Sequence, residues 1–305
     1  MGKKQHKNQV KVQIPEYRTI REIVVKGTAA GGNKKQFMFL DKNKETQEIN
    51  YNQTWKLIST LGTYIFSKGL KKGAKIALVS ENVIEWAFAY YAILVGGNVC
   101  VPMDAKLPNE DLEDQLVRCG CDALIYSDKF ADLAESVKGN SAITIKEYFP
   151  MDKFEEYYAA GEALIANGDD SFDKVEIEPD DLACICYTSG TTGKSKGVML
   201  THRNIASDCT SSCRVLTGRH AIAFLPLHHT LSWVSALYAT YIVVEWGYLC
   251  DSLKDIQKDI VNIKPYNFTA FRLLLKRYTI KSGKPHAKWA RKNCSKRALK
   301  SAISS

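Results

Sequence analysis

From Lys75 to Tyr187 the chain alternates short apolar runs with amphipathic segments, and this alternation constrains the fold more than any other feature. Ile76 to Ser80, Asn98 to Pro102, Ala123 to Tyr126 and Ala142 to Ile145 read as strands. Between them Val83 to Leu94, Asn109 to Arg118 and Asp128 to Val137 carry helical spacing. A polar segment, 167–173, leads to a further apolar run, Leu182 to Tyr187. Such alternation predicts an α/β fold of layered, largely parallel sheets flanked by helices, with ligands gathering at the carboxyl ends of the strands.

The flanking segments are less regular. Residues 1–11 hold Lys3, Lys4, Lys7 and Lys11 without the apolar segment of a secretory signal, and His6 stands where a myristoylation signal needs Ser or Thr. Gly27 to Lys35 reads as a loop, followed by a hairpin of Phe37 to Leu40 with Glu48 to Tyr51. A helix is expected to start with Thr54 as its cap, to bury Trp55, Ile58, Leu61, Ile65 and Phe66, and to stop at Gly69. Later, Thr201 can cap a helix through Ile205 to Leu216, and Ala221 to Leu225 reads as a strand. Leu231 to Leu249 has the length of a membrane span, but Ser232, Ser235, Thr240 and Glu245 interrupt it. A buried helix followed by a buried strand is expected there.

Composition excludes several classes. With 45% hydrophobic and 25% charged residues the chain is neither disordered nor fibrous. The net charge of +9 suggests nucleic acid until it is located: 271–305 contain 11 Lys and Arg and no acid, and removing them leaves 31 basic against 33 acidic residues, a balance of −2. No nucleic-acid partner is therefore expected of the body, while peripheral membrane contact stays open. Nine cysteines lie in no zinc spacing and follow no secretory signal, so reduced thiols, no metal and a cytoplasmic location are expected.

The chemistry concentrates in Tyr187 to His202, YTSGTTGKSKGVMLTH, directly after an apolar strand. Gly190, Gly193 and Gly197 permit close backbone approach to a ligand, Thr188, Ser189, Thr191, Thr192 and Ser195 supply hydroxyls, and Lys194 and Lys196 supply charge. Successive N–H groups in such a turn form an anion-binding concavity suited to a polyphosphate. A Walker A loop is excluded, because its first glycine would fall at Thr188.

This stretch resembles the phosphate-loop signature of the adenylate-forming, AMP-binding superfamily of acyl-CoA synthetases, YTSGTTGxPKGV, with Ser195 in the place of the usual proline. Ala92 to Asp104 is similar to the LxxGxxxVPLD box of that superfamily, where Gly96 and Gly97 are read as packing residues and none as catalytic. LPLHHT, 225–230, is similar to the segment that opens the carboxylate pocket. The resemblance, most like the long-chain fatty acyl-CoA synthetases, covers about residues 20–270.

The resemblance implies ATP-dependent activation of a carboxylic acid, a fatty acid above all, to an acyl-adenylate and then a CoA thioester. It implies that Thr188, Ser189, Gly190, Thr191, Thr192, Gly193, Lys194 and Lys196 hold the ATP phosphates with Mg²⁺, that His228 and His229 line the substrate pocket, and that His229 is catalytic. A YGxTE motif, a TGD motif and a C-terminal domain with its lysine are expected of the family and are not found in these 305 residues. The chain is accordingly read as the incomplete N-terminal part of an adenylation domain at 1–270, with a basic tail at 271–305 that departs from the family and the C-terminal domain absent. A non-catalytic, ATP-binding remnant or subunit, and a binder of nucleic acid or membrane through the tail, remain alternatives.

Overall fold

A computed structural model describes residues 14–188, 195–215, 220–250 and 256–263 of the chain. It opens with helix α1 (Ile20–Gly31), then strands β1 (Lys35–Leu40) and β2 (Thr46–Asn50), helix α2 (Tyr51–Ser67) and strand β3 (Lys75–Val79). Next come α3 (Ile84–Val95), β4 (Val99–Pro102), α4 (Asn109–Cys119), β5 (Ala123–Tyr126), α5 (Ala131–Lys138), β6 (Glu147–Pro150) and α6 (Phe154–Ala166). β7 (Leu182–Thr188) and β8 (Lys196–Thr201) form a hairpin, followed by α7 (His202–Val215) and β9 (His220–Ala223). The described part ends with α8 (Thr230–Ser232), a π-helical turn at Trp233–Leu237, α9 (Tyr238–Val243), β10 (Trp246–Leu249) and α10 (Ile256–Ile263).

Two sheets result. One has the order β6-β5-β3-β4-β7-β8, parallel except for the β7–β8 pair; the other has the order β2-β1-β10-β9, parallel except for β1–β2. After Lys75 the β3 run is apolar at every position because both its faces are covered. Ile76 and Leu78 join the large core that also holds α3, whereas Ala77 and Val79 join a second core under α4 and α5. Every residue of α3 except Glu85 is buried, as befits a helix enclosed on all sides. Its ring contacts to Trp233, Tyr238 and Tyr241 tie it to the helical segment before β10.

The expected alternation is present, with four corrections. Residues 27–31 are not a loop but the end of α1, which Thr19 caps through its Oγ1 and the Glu22 N–H at 3.1 Å. Its glycines serve close approach rather than turning: a Cβ on Gly27 would lie 2.7 Å from the Tyr241 carbonyl oxygen, and one on Gly31 would lie 2.3 Å from the Tyr51 ring. α2 starts three residues before Thr54, because Asn50 and Gln53 form a reciprocal capping box. The strand expected at 142–145 lies instead at β6, an edge strand that ends on Pro150, where a missing N–H is tolerated. Helix α6 was not anticipated; it packs on α2 through Gly161, whose added Cβ would meet the Thr60 carbonyl oxygen at 1.9 Å.

The 231–249 segment folds as expected, into helix and then strand. Between the helix and the strand, Val244 takes a left-handed conformation at φ 53°. No helix among the described residues is long and apolar enough to cross a membrane.

Candidate functional site

The predicted phosphate loop leaves the carboxyl end of β7 and returns as β8, so its two feet face each other across an antiparallel pair. Thr188 and Lys196 are the last residues in register, and the Thr188 hydroxyl lies 3.4 Å from the Lys196 carbonyl oxygen. Both residues are exposed. Ser189, Gly190, Thr191, Thr192, Gly193 and Lys194 lie outside the described residues.

Helix α4 grips the loop's feet. The Tyr187 hydroxyl donates to the Gln115 carbonyl at 3.1 Å, and burial pushes its phenol up to about 12, so it stays protonated as a donor at neutral pH. The Arg118 guanidinium lies 5.2 Å from the centroid of the Tyr187 ring and donates to the Ser195 carbonyl at 2.7 Å and to the Ser195 Oγ at 3.1 Å. Its Nε is held by Asp114 at 2.8 Å. From the sequence, Gln115 and Arg118 belong to an expected helix and carry no role at the loop, because nothing in the chain shows that α4 lies beside the β7–β8 hairpin.

The second part of the site is built at the ends of β3, β4 and β9. Asn82, after β3, donates from Nδ2 to the Leu225 carbonyl and accepts the Leu227 N–H on Oδ1, both at 3.0 Å. Trp233 donates from its indole N–H to the Leu227 carbonyl, and Ser232 from its hydroxyl to the Pro226 carbonyl at 2.9 Å. Those bonds fix the two histidines that follow. His228 is half-buried, with Nε2 3.5 Å from Asp104 Oδ1, and its ring centroid is 4.3 Å from that of His229. Burial lowers the His228 pKa to about 4, opposed by Asp104 and reinforced by His229 and Lys106, so the imidazole is neutral at pH 7.

His229 is exposed and precedes α8, its N–H bonded to the Pro226 carbonyl at 3.1 Å. Asp104 belongs to the box read as packing alone, yet its carboxylate faces His228 and accepts the Lys106 N–H at 3.0 Å. β4, which ends two residues before Asp104, is the sheet neighbour of β7 through Cys100 and Cys184. The loop feet and the histidine segment are thus linked through β4 and Asp104. Gly97 in that box supplies a turn at φ 71°, and Gly96 makes room for the Phe66 and Phe172 rings.

None of the eight described cysteines is in a disulfide, and no group of three or more His, Cys, Asp or Glu side chains among the described residues is placed to hold a metal.

Comparison with known proteins gives a consistent result. Fatty acyl-CoA synthetase A of Dictyostelium discoideum is 26% identical over 238 residues, covering 73% of this chain and 36% of the relative. A long-chain-fatty-acid–CoA ligase of Escherichia coli is 27% identical over 233 residues, covering 66% and 42%. The chain therefore spans less than half the length of these curated relatives. Among solved structures, a long-chain-fatty-acid-CoA ligase from Archaeoglobus fulgidus superposes with a TM-score of 0.77 at 18% identity, over 93% of this chain and 62% of that one. The N-terminal domain of FACL13 from Mycobacterium tuberculosis gives 0.74 at 18% identity, over 87% and 65%. The profile of the AMP-binding enzyme family matches residues 27–274, and the chain belongs to that family.

Proposed function

We propose that this chain holds ATP by its phosphate loop and presents it to a carboxylic acid, a fatty acid by analogy with its relatives, for activation to an acyl-adenylate and transfer to the thiol of CoA. A carboxylate oxygen would attack the α-phosphorus as the bond to the pyrophosphate oxygen breaks. The thiol sulfur would then attack the acyl carbonyl, with AMP leaving. The observation that carries the reading is the placement of the loop feet, Thr188 and Lys196, at the carboxyl end of β7, next to the strand whose Asp104 faces His228.

In this reading the N–H groups and hydroxyls of 188–193, with Lys194 and Lys196, would hold the polyphosphate as charge moves to the leaving group. His228, neutral at pH 7, would serve the carboxylate pocket as a hydrogen-bond donor rather than as a cation. His229, exposed at the start of α8, would stand at the pocket's mouth. The described residues provide no ligand cluster for Mg²⁺, and no step is assigned to it.

The test is nucleotide protection. Replacing Thr191, Thr192 and Lys196 together by Ala is expected to abolish the rise in thermal midpoint that ATP gives the parent; equal protection of the variant overturns the loop assignment. In a second reading the same loop binds ATP without turnover. Carboxylate-dependent pyrophosphate exchange separates the two readings, since only the first produces it.

A further inference from the structure

We propose that Arg118, with Gln115, is a positioning clamp for the phosphate loop, and that the Ser195 hydroxyl is the handle it grips. This deepens the ATP-binding reading and rests on it.

A loop that must present several N–H groups to one anion works only if its ends are fixed in spacing and direction, since loose donors have to be ordered at the moment of binding. The β7–β8 ladder fixes the spacing through the Thr188–Lys196 pair, but both residues are exposed and the four residues from Lys196 to Met199 are exposed on β8. The ladder alone leaves this end of the hairpin projecting beyond the sheet. Direction has to come from elsewhere.

It comes from α4. Gln115 is 2% exposed; its carbonyl accepts the Tyr187 hydroxyl on the entering foot, and its Nε2 lies 3.4 Å from Ser195 Oγ on the leaving foot. One turn on, Arg118 makes two bonds to Ser195, one to the carbonyl and one to the hydroxyl, while covering the Tyr187 ring. A planar guanidinium meets two acceptors in a fixed fork while its face lies on an aromatic ring; an ammonium has three donors but no plane to set their direction. Asp114 holds the adjoining edge of that guanidinium through Nε at 2.8 Å and through Nη2, the nitrogen that also meets the Ser195 hydroxyl, at 2.7 Å, which fixes the plane.

The helix itself is secured. Gly120 closes it in a left-handed conformation at φ 62°, and Lys75 of β3 donates from Nζ to the Cys119 carbonyl at 2.6 Å. The clamp is therefore anchored to the central strand of the sheet. Ser195 stands where the family signature has proline, which would restrict that foot through its ring; here a hydroxyl held from α4 does so through two side chains.

The test is a cycle of variants of the full chain: Arg118→Ala, Arg118→Lys, Ser195→Ala and Arg118→Ala with Ser195→Ala. Two readouts are used, ATP affinity by calorimetry and amide hydrogen exchange of 187–197 without nucleotide. Arg118→Ala is expected to weaken ATP binding about tenfold and to speed exchange at the loop feet. Arg118→Lys should behave nearly as badly, because charge without the planar fork does not suffice. Ser195→Ala should cost about threefold, and the double variant should be no worse than Arg118→Ala alone. Unchanged exchange in Arg118→Ala overturns the clamp, whatever happens to affinity, since a residue that merely touches the nucleotide would lower affinity without loosening the free protein. Full additivity of the two substitutions overturns the role of the hydroxyl. If the parent binds no ATP while exchange responds as expected, the ATP-binding reading fails and the mechanical link stands.

Discussion

His202 and His228 both sit where protonation is opposed, and the direction of the resulting pH dependence follows from linkage. His202 is 0% exposed, and its Nδ1 accepts the Ile20 N–H at 3.4 Å. Burial lowers its pKa from 6.5 to about 4, with Asp181 opposing. Between those values the unfolded chain binds a proton that the folded chain refuses, so stability rises with pH across this window. The contribution is fully present above about 6.5 and is lost as pH falls towards 4, with a magnitude on the order of 3 kcal/mol for His202. In urea titrations at a series of pH values, His202→Asn is expected to keep the Ile20 bond and to flatten the slope between pH 6.5 and 4. A slope equal to the parent's would show that another group is responsible.

At this scale the sequence was legible where chemistry is contiguous and opaque where it is assembled. YTSGTTGKSKG reads as a phosphate loop because its donors are neighbours in the chain, and its start at the end of a strand is as expected. The Asp104–His228 contact joins segments more than a hundred residues apart, and nothing in VPMD distinguishes a packing aspartate from one facing an imidazole. Arg118 was equally hidden, since its role depends on α4 lying against the hairpin.

Among the elements, β3, α3, β4, α4 and β5 were read well, because Gly73, Gly96, Pro102, Pro108 and Gly120 mark where their runs begin or end. Errors arose where glycine had two meanings. Gly27 and Gly31 resemble turn residues in sequence, but in α1 they admit Tyr241 and Tyr51. Gly161 in α6 shows how far packing can override propensity. Helix propensity alone makes Gly→Ala favourable by about 1 kcal/mol in a helix interior. Here a Cβ would stand 1.9 Å from the Thr60 carbonyl oxygen, which belongs to the backbone of α2 and cannot swing aside. Overpacking of this kind costs typically about 1–3 kcal/mol, and a backbone clash belongs at the upper end. Gly161→Ala is therefore expected to lower the urea midpoint, opposite in sign to the propensity rule; a raised midpoint would mean that α2 and α6 part easily.

For the molecule as a whole, strand order decides what is left uncovered. β8 is the outermost strand of its sheet, and Val198 and Met199 on it are 42% and 65% exposed. An apolar edge of this kind is a template for pairing with another chain, and a lysine is a common natural guard against it. Light scattering is expected to show concentration-dependent association of the parent that Met199→Lys reduces, with the thermal midpoint unchanged; undiminished association would place the sticky surface elsewhere. The strand order of the smaller sheet was not visible in the alternation, because β10 enters between β1 and β9 from far along the chain.

That last pairing also imposes an order in time. Phe37 lies in register with Gly247, so the β1–β2 hairpin has no parallel neighbour until the ribosome has added about 200 more residues, a wait of roughly 10 to 40 s at about 5–20 residues per second. During synthesis the other sheet gains β3 to β6 within a much shorter stretch of chain, while α1 and the hairpin remain tethered without the partner strand they will flank. The first elements made are among the last to be locked in place, and the nascent chain must keep Phe37 and Ile23 from misassociating until β9 and β10 have emerged.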